Sequence, residues 1–579
     1  MDQTPFARLA HLGEQLEQTS KRQELAALLA DFLRGLLPAE IPPAVRLAIG
    51  QVFPEWDGRA LNVSGGTVSK VVDRLIDASP ALRQQVSAQA VDGGEAVRML
   101  LEGARREPPT LPPLTIPEVF AAFEEIAATA GKGSSARKEA LLHELLTRAT
   151  PVEAKHLVKV IYGEMRHGVS EGIMLDGIAQ AAGVKARWVR RANQLWGDLG
   201  EVASVALAQG EGALKQANLR LFRPLKPMLA QTTEDLAEAF ERYGGRVALE
   251  YKLDGARVQI HHQGEKVHIY SRSLADVTAS LPDVVAQVRS MLVAQEAILE
   301  GEAIAINERG RPLPFQHLMR RFRRKRAVAD TIAEVPVQLH LFDALYVDGR
   351  TLIDAPNEVR WAALEKAVFG QEGSDAGHRG GEGREGREGR SLLVQRCLPK
   401  TVEEATAFAE QACRDGHEGV MAKDLGSAYT PGVRGKSWLK FKHVLSLDLV
   451  VVAADWGYGR RHGWLSNYHL AARDAETGEY LVVGKTFKGL TDDEFQEMTE
   501  RLLELERSRQ RSTVTVRPQV VVEVVFNELQ ASPQYQSGLA LRFARIARIR
   551  DDKRAAEADT LQTLRQLYEQ QFAFKGKRP

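Results

Sequence analysis

Near residue 222 the hydrophobic period of this 579-residue chain changes, and no other feature constrains its fold as tightly. Upstream, RQELAALLADFLRGLL (22–37) and ARKEALLHELLTRA (136–149) place leucine and alanine three and four apart, which lines one face of an α-helix. Prolines in LLPAEIPP (36–43) and REPPTLPPLTIP (106–117) remove helical hydrogen bonds and predict breaks there. From residue 247 the texture becomes short β-branched runs: VALEYKLDGARVQIHH (247–262), a turn, and KVHIYSR (266–272) read together as a hairpin. AILEGEAIAIN, VQLHLFDALYV, GVMAKD and SWLKFK continue the pattern, with helical stretches such as PNEVRWAALEKAVF (356–369) between them. This alternation predicts an α+β unit. A later β-rich stretch, from LDLVVVAADWG (447–457) through YHLAARD, YLVVGKTF and VVVEVVFNEL, suits a small barrel such as an OB-fold, followed by a basic helical tail.

A prior of roughly one domain per 100 to 200 residues allows three or four units, and three are expected. They are an all-α unit over residues 1–222, an α+β unit over 223–443 and an all-β unit over 444–579. Within the second, an insert near 371–390 carries GSDAGHRGGEGREGREGR, which has glycine and alternating charge but nothing large and apolar to bury. It predicts a flexible surface loop.

Lysine plus arginine (77) and aspartate plus glutamate (76) nearly cancel, so distribution decides what the charge means. Positive charge clusters in RRFRRKR (320–326), GKSWLKFKH (435–443), GRRHGW (459–464) and LRFARIARIRDDKR (541–554). A solvated helix or strand face explains any one of these; four in the last half of a neutral chain predict a segregated basic surface. The sequence has no long uncharged apolar run that would cross a bilayer, and its start lacks the basic flank and apolar core of a signal peptide, so no membrane partner is expected. Cys397 and Cys413, the two cysteines, cannot form a disulfide framework or a four-cysteine zinc site. A reducing, cytoplasmic setting is expected.

The most informative segment is EYKLDGAR at 250–257. It puts Lys252 at a strand end, Asp254 and a glycine at a turn, and Arg257 close behind. Such an arrangement can hold an amine against a phosphate, and neighbouring positive charge disfavours the ammonium form and frees the nucleophile. A plain turn in a surface hairpin would read the same way. Downstream come Arg272, Glu300 with Glu302, Phe342 with Asp343, Glu418 through Lys423, and Arg434 through Lys440 and Lys442. Carboxylates and cations beside predicted strands are what binding Mg²⁺ and a triphosphate requires. Singly, Glu302 and Glu418 also read as exposed carboxylates, Phe342 as core, and Lys440 and Lys442 as a solvent-facing strand period.

In order, EYKLDGAR, SRS, LEGEAI, FDALY, HEGVMAKD and SWLKFK resemble the motif series of the covalent nucleotidyltransferases, which comprise ATP-dependent DNA ligases, RNA ligases and mRNA capping enzymes. The resemblance implies that Lys252 attacks the α-phosphate of ATP and carries AMP. It implies that Glu250 and Arg257 contact the nucleotide, Arg272 and Glu302 the ribose, and Phe342 the adenine face. Glu302, Glu418 and Asp254 would place Mg²⁺, or Mn²⁺ in its stead, while Lys423, Arg434, Lys440 and Lys442 would hold phosphate oxygens.

Both chain ends point to the DNA ligases of archaeal and eukaryotic type. SPQYQSGLALRFARIARIRDDK (532–553) resembles the last motif of that family, with Arg548, Asp551 and Lys553 as its assisting residues and Ala544 where proline is expected. GKGSSARKEALLHELL (131–146) and EAKHLVKVIYGEMRHGVSEGIMLDGIA (153–179) resemble its helical DNA-binding domain. RPLKPMLA (223–230) resembles its entry to the adenylation domain. Gly131, Gly133, Ser134, Arg137 and Lys138 are the candidate duplex contacts, because a glycine-serine loop opening a helix presents backbone N–H groups to phosphate; a plain helix cap explains the serines as well. The implied partner is nicked duplex DNA, a sliding clamp is a candidate partner, and a monomer is expected. An RNA ligase or capping enzyme would lack the long helical region, an NAD-dependent ligase would carry zinc cysteines, and a silent scaffold would not need Lys252.

Overall fold

The computed structural model describes residues 3–104, 111–313, 317–319, 321, 335–370, 392–442 and 445–574, so the glycine-rich insert and most of the 320–326 cluster lie outside the described residues. The first region is helical from Phe6–Glu17 to Leu199–Lys215. Its leucines and valines form one buried cluster, as the period predicts. Helix ends are set by polar caps: Thr115 accepts from the Glu118 N–H while the Glu118 carboxylate accepts from the Thr115 N–H at 2.9 Å. The predicted break at 36–43 is present, between helix Arg22–Arg34 and a helix that starts at Ile41. Pro42 and Pro43 sit in the first turn of Ile41–Ala48, where backbone N–H groups have no intrahelical acceptor to lose.

Among the described residues the middle of the chain contributes ten strands: β1 (Leu229–Thr233), β2 (Val247–Tyr251), β3 (Ala256–Gln263), β4 (Lys266–Ser271), β5 (Glu296–Ala305), β6 (Val337–Val347), β7 (Arg350–Thr351), β8 (Arg396–Cys397), β9 (Gly419–Asp424) and β10 (Arg434–Lys442). They form two five-stranded sheets, ordered β1-β10-β9-β2-β8 and β4-β3-β5-β6-β7. Helices Asn357–Phe369 and Val402–Arg414 pack on them. The first arm of the expected hairpin, 247–262, is therefore two strands, parted at the Asp254-Gly255 turn. The chain leaves the first sheet after Tyr251 and enters the second at Ala256, while β3 and β4 keep the predicted hairpin. The core of the helical region runs on into this unit, where Ile298, Leu345, Ile353, Tyr429 and Trp438 belong to the same buried cluster. Lys226 reinforces the junction through Glu171 at 2.8 Å and Glu55 at 3.1 Å.

The last region holds β11 (Leu445–Trp456), β12 (Leu465–Arg473), β13 (Tyr480–Thr486), β14 (Glu506–Gln510), β15 (Thr513–Val516), β16 (Val521–Phe526), β17 (Glu528–Ala531), β18 (Leu539–Arg542) and β19 (Arg545–Ile549). β13, β12, β11, β16 and β19 pair in that order. The Ile546 N–H donates to the Lys488 carbonyl just beyond β13 (2.9 Å), and Thr486 Oγ1 donates to the Ala544 carbonyl (2.7 Å), so the ends of the sheet meet as a small barrel. Helix Asp492–Glu504 buries Phe495, Met498 and Leu502 in its core. This is the five-stranded order of an OB-fold. The expected basic helical tail is corrected in its start: Leu539–Arg542 and Arg545–Ile549 are strands, and the terminal α-helix is Leu561–Phe574. Arg542, Arg545 and Arg548 recur every three residues, a spacing that reads as helix, but pairing of Ile546 with Val524 makes the segment a strand.

Candidate adenylation site

The crossing between the two sheets builds the site. The Lys252 N–H donates to the Gly419 carbonyl (2.8 Å) and the Glu418 N–H to the Lys252 carbonyl (3.0 Å), so β9 pins the lysine backbone. Gly419 has φ +131°, and a Cβ there would stand 2.4 Å from the Phe441 carbonyl oxygen; one on Gly255 would stand 2.4 Å from that of Ala303. Neither position admits a side chain without moving backbone. Gly419→Ala is expected to lower the thermal midpoint by several degrees and to cut self-adenylation, because strain and a close contact act on the residue that pins Lys252. A wild-type melting curve and adenylation rate in that variant would refute this reading.

Lys252 forms an ion pair with Glu418, and Lys442 Nζ lies 2.7 Å from the same Glu418 oxygen. Burial lowers the pKa of Lys252, but Glu418 outweighs it, with help from Glu302 and Asp254, and the net direction is upward. The expectation that neighbouring cations free the amine is corrected: the charged group paired with the Lys252 amine is Glu418, which favours the ammonium. Glu418 is opposed by burial, yet Lys252 and Lys442 hold it down to about 2. Glu302 is pushed up to about 7, chiefly by burial, against Lys252 and Arg257. Burial, Lys442, Lys252 and Arg434 lower the pKa of Lys440. Five cations, Lys252, Arg257, Arg434, Lys440 and Lys442, and three carboxylates, Asp254, Glu302 and Glu418, thus converge at the sheet crossing.

Beside them, Phe342 is half-buried and meets Trp438 edge-on, with ring centroids 6.2 Å apart; Trp438 meets Tyr429 at 6.0 Å. Arg257 lies 5.4 Å from the Phe342 centroid, pairs with Glu300 and donates to the Met228 carbonyl at 2.6 Å. Its buried Nε has no protein partner. Strand register sets Arg257 opposite Glu302, and Val258 opposite Ser271, so exposed Arg272 follows at the same level along the sheet edge. Lys423 is a correction. It is buried, pairs with Glu250 at 2.5 Å and donates to the Phe342 carbonyl at 3.1 Å, and so is not placed to hold phosphate oxygens. Glu250 is clamped on its other oxygen by Arg396 at 3.0 Å, whose guanidinium lies 4.1 Å from the Trp361 ring. Arg396 and Tyr429 escaped a reading based on motifs, while Trp438, inside SWLKFK, and Glu300, beside Glu302, lay within the motifs without a role of their own.

Two further groups stand apart. Arg548 pairs with Glu523 (2.6 Å), Asp551 with Arg501 (2.5 Å) and Lys553 with Asp448, all within the barrel. The barrel instead turns Arg542 toward the site: burial lowers its pKa, but Glu528, with smaller contributions from Asp254 and Glu418, outweighs it. Arg545 of the barrel also pairs with Glu234 of the middle region. In the helical region Gly131 and Gly133 have φ +85° and +84°, and Ser134 opens helix Ser134–Arg148. Arg137 is committed to Glu125 at 2.5 Å, and buried Lys138 donates to the Leu61 carbonyl at 2.6 Å. Lys138 therefore ties the loop to the helical core, which corrects its place among the duplex contacts.

Residues 5–179 match the family described as "DNA ligase N terminus", 227–442 "ATP dependent DNA ligase domain" and 461–553 "ATP dependent DNA ligase C terminal region". The chain belongs to the ATP-dependent DNA ligase family. It is 46% identical over 566 residues to "DNA ligase 1" of Korarchaeum cryptofilum, covering 97% of this chain and 98% of that one. It is 40% identical to the "DNA ligase" of Thermococcus onnurineus across the full length of both, and 43% identical to the "Probable DNA ligase" of Anaeromyxobacter sp. strain K over 97% and 99% of the two chains. The solved structure named Pmar-Lig_PreS3 shares the fold, with TM-score 0.52 at 17% identity over 94% of this chain and 99% of that one. Ligase activity, ATP use and a DNA substrate are those of the family. Among the described residues no helix is long and apolar enough to cross a membrane.

Proposed function

We propose that the protein seals nicks in duplex DNA through a lysine-AMP intermediate carried by Lys252. The carrying observation is the Lys252–Glu418–Lys442 cluster at the crossing of two sheets, with the Phe342 platform beside it. Lys252 gives up a proton and attacks the α-phosphorus of ATP; the bond to the bridging oxygen breaks and pyrophosphate leaves. The 5′-phosphate of a nick then displaces the lysine, taking AMP. Last, the 3′-hydroxyl attacks that phosphate, losing its proton, and AMP departs. Arg434, Lys440 and Lys442 stabilise charge on the phosphate oxygens, Arg257 and Arg272 face the ribose side, and Glu250, oriented by Arg396 and Lys423, borders the base. Glu302, Glu418 and Asp254, the carboxylates that act on Lys252, would hold Mg²⁺ or Mn²⁺, which when bound would neutralise phosphate charge, although among the described residues their oxygens do not all lie within 4.8 Å of one another. Arg548, Asp551 and Lys553 assist the first step after the barrel reorients.

We further place domain boundaries at 222/223 and 443/444, and the protein in the cytoplasm as a monomer, in keeping with the free thiols of Cys397 and Cys413. A sliding clamp as partner rests on the resemblance alone. Incubation with α-labelled ATP followed by a chase with unlabelled nicked duplex tests the core reading: label must appear on protein, then leave as ligated product forms. Failure of the protein to take label overturns it.

Removing residues 1–215 is expected to retain lysine adenylation while weakening binding to nicked DNA. The dependence of log Kd on log salt should flatten by roughly 0.9 for each phosphate that the shortened protein no longer neutralises. The truncated protein should also melt earlier, because the apolar face around Ile298, Leu345 and Ile353 loses its cover. Unchanged DNA affinity would remove the helical region from substrate binding.

A further inference from the structure

Glu250 is a buried carboxylate gripped by two cations. Arg396 Nη1 lies 3.0 Å from one of its oxygens and Lys423 Nζ 2.5 Å from the other. The two cations act differently. Lys423 also donates to the Phe342 carbonyl (3.1 Å), and its ammonium lies 4.7 Å from the Phe342 ring centroid, which sets Glu250 one side chain away from the aromatic platform. An ammonium on a flexible stem is a point charge. It keeps a carboxylate ionised but does not fix the plane in which that carboxylate lies.

Arg396 supplies the plane. It stands directly opposite Glu250 in the antiparallel pairing of β2 with β8. Its Nη2 donates to Oδ1 of buried Asn357 (3.0 Å), and its guanidinium lies 4.1 Å from the Trp361 ring centroid; both residues belong to helix Asn357–Phe369. The neighbouring carboxylate, Asp343, is taken on both oxygens by Arg360, at 2.8 and 3.0 Å. A planar fork anchored on a helix thus holds one edge of Glu250. An ionised carboxylate accepts hydrogen bonds and donates none. A base edge brought to it must present an amino group, because a keto oxygen there would meet like charge.

We propose that Arg396 is a positioning residue for base selection in lysine adenylation. By fixing the plane of the Glu250 carboxylate, it favours a purine that carries an amino group over one that carries a keto oxygen at the same ring carbon. This role rests on the reading that Glu250 borders the base, and it falls to a residue on a two-residue edge strand outside every motif that marks the site.

The test measures protein labelling by α-labelled ATP and by α-labelled ITP, which differ only in that exchange of amino for keto, in wild type, Arg396→Lys and Glu250→Gln. Wild type should favour ATP in kcat/KM by on the order of 100-fold or more, as expected of a site built to accept from an amino group. Arg396→Lys keeps the charge but loses the fork and the stacking plane. Its ATP-over-ITP ratio should fall at least about tenfold, mainly through a higher KM for ATP, with the rate at saturating ATP within about threefold of wild type. The ratio is taken within one preparation, so any loss of folded protein cancels, and a residue that merely stabilised the fold would leave it unchanged. Glu250→Gln, whose amide donates as well as accepts, should narrow the ratio too. A ratio lost in Glu250→Gln but kept in Arg396→Lys would overturn the role of Arg396 and leave the reading of Glu250 standing. A ratio unchanged in both variants, or no preference for ATP in the wild type, would overturn the two together.

Discussion

Lys252→Ala forms no protein-AMP adduct and seals no nick from ATP, with a loss of at least about 10⁴-fold, the scale reached when a covalent nucleophile is removed. Sealing of a nick that already carries AMP on its 5′-phosphate stays measurable, because only the first two steps need the amine. The structure lends this test a clean background. Lys442 still pairs with Glu418 once Lys252 is gone, so the buried carboxylate keeps a cationic partner and the strand crossing its backbone bonds. Lys252→Arg should restore the pair with Glu418 yet form no adduct, since a guanidinium does not deprotonate in the accessible pH range. Gel analysis after incubation with α-labelled ATP reads both variants; label on either would remove Lys252 from its assigned role.

Asp551→Ala combined with Lys553→Ala is expected to slow lysine adenylation by about 100-fold or more, the cost of losing charged groups that act on a leaving group. Phosphodiester formation at a pre-adenylated nick should stay within a few-fold of wild type. The structure makes this a statement about motion, because Asp551 and Lys553 pair with Arg501 and Asp448 inside the barrel while Arg542 is the barrel cation that feels Asp254 and Glu418. Assisting the first step requires those two pairs to turn toward Lys252. A modest interface, with Arg545–Glu234 as an exposed ion pair, is compatible with such a swing. From the sequence, residues 443–447, between the α+β unit and the apolar start of the barrel, are the expected hinge, and they lie partly outside the described residues. If adenylation survives and only the DNA-dependent steps fail, the basic strand β19 and the turn after it serve DNA affinity instead.

The double variant also bears on how the site is read from sequence. EYKLDGAR, HEGVMAKD and SWLKFK mark Lys252, Glu418 and Lys442 because each lies on or beside a strand, where neighbours in sequence stay neighbours in space. Arg396 and Tyr429 carry no such mark. They enter by pairing across the sheet with Glu250 and by reaching Met228 from distant loops, contacts that no local spacing encodes.

The sequence by itself determined the helical first region, the β-rich remainder and the barrel, since hydrophobic period and turn residues act over a few positions, and its motif resemblance is what proposes Lys252 as the nucleophile. Only the tertiary structure decided that 247–262 is split between two sheets and that Lys252 rests as a paired ammonium. It also decided that Lys423 and Lys138 are buried braces, and that 541–549 closes a barrel in place of extending a helix. The physical reason is common to all of these. A lysine's charge state and reach depend on which carboxylate or carbonyl the fold brings within about 3 Å and on how much water remains there, and a strand's existence depends on its partner.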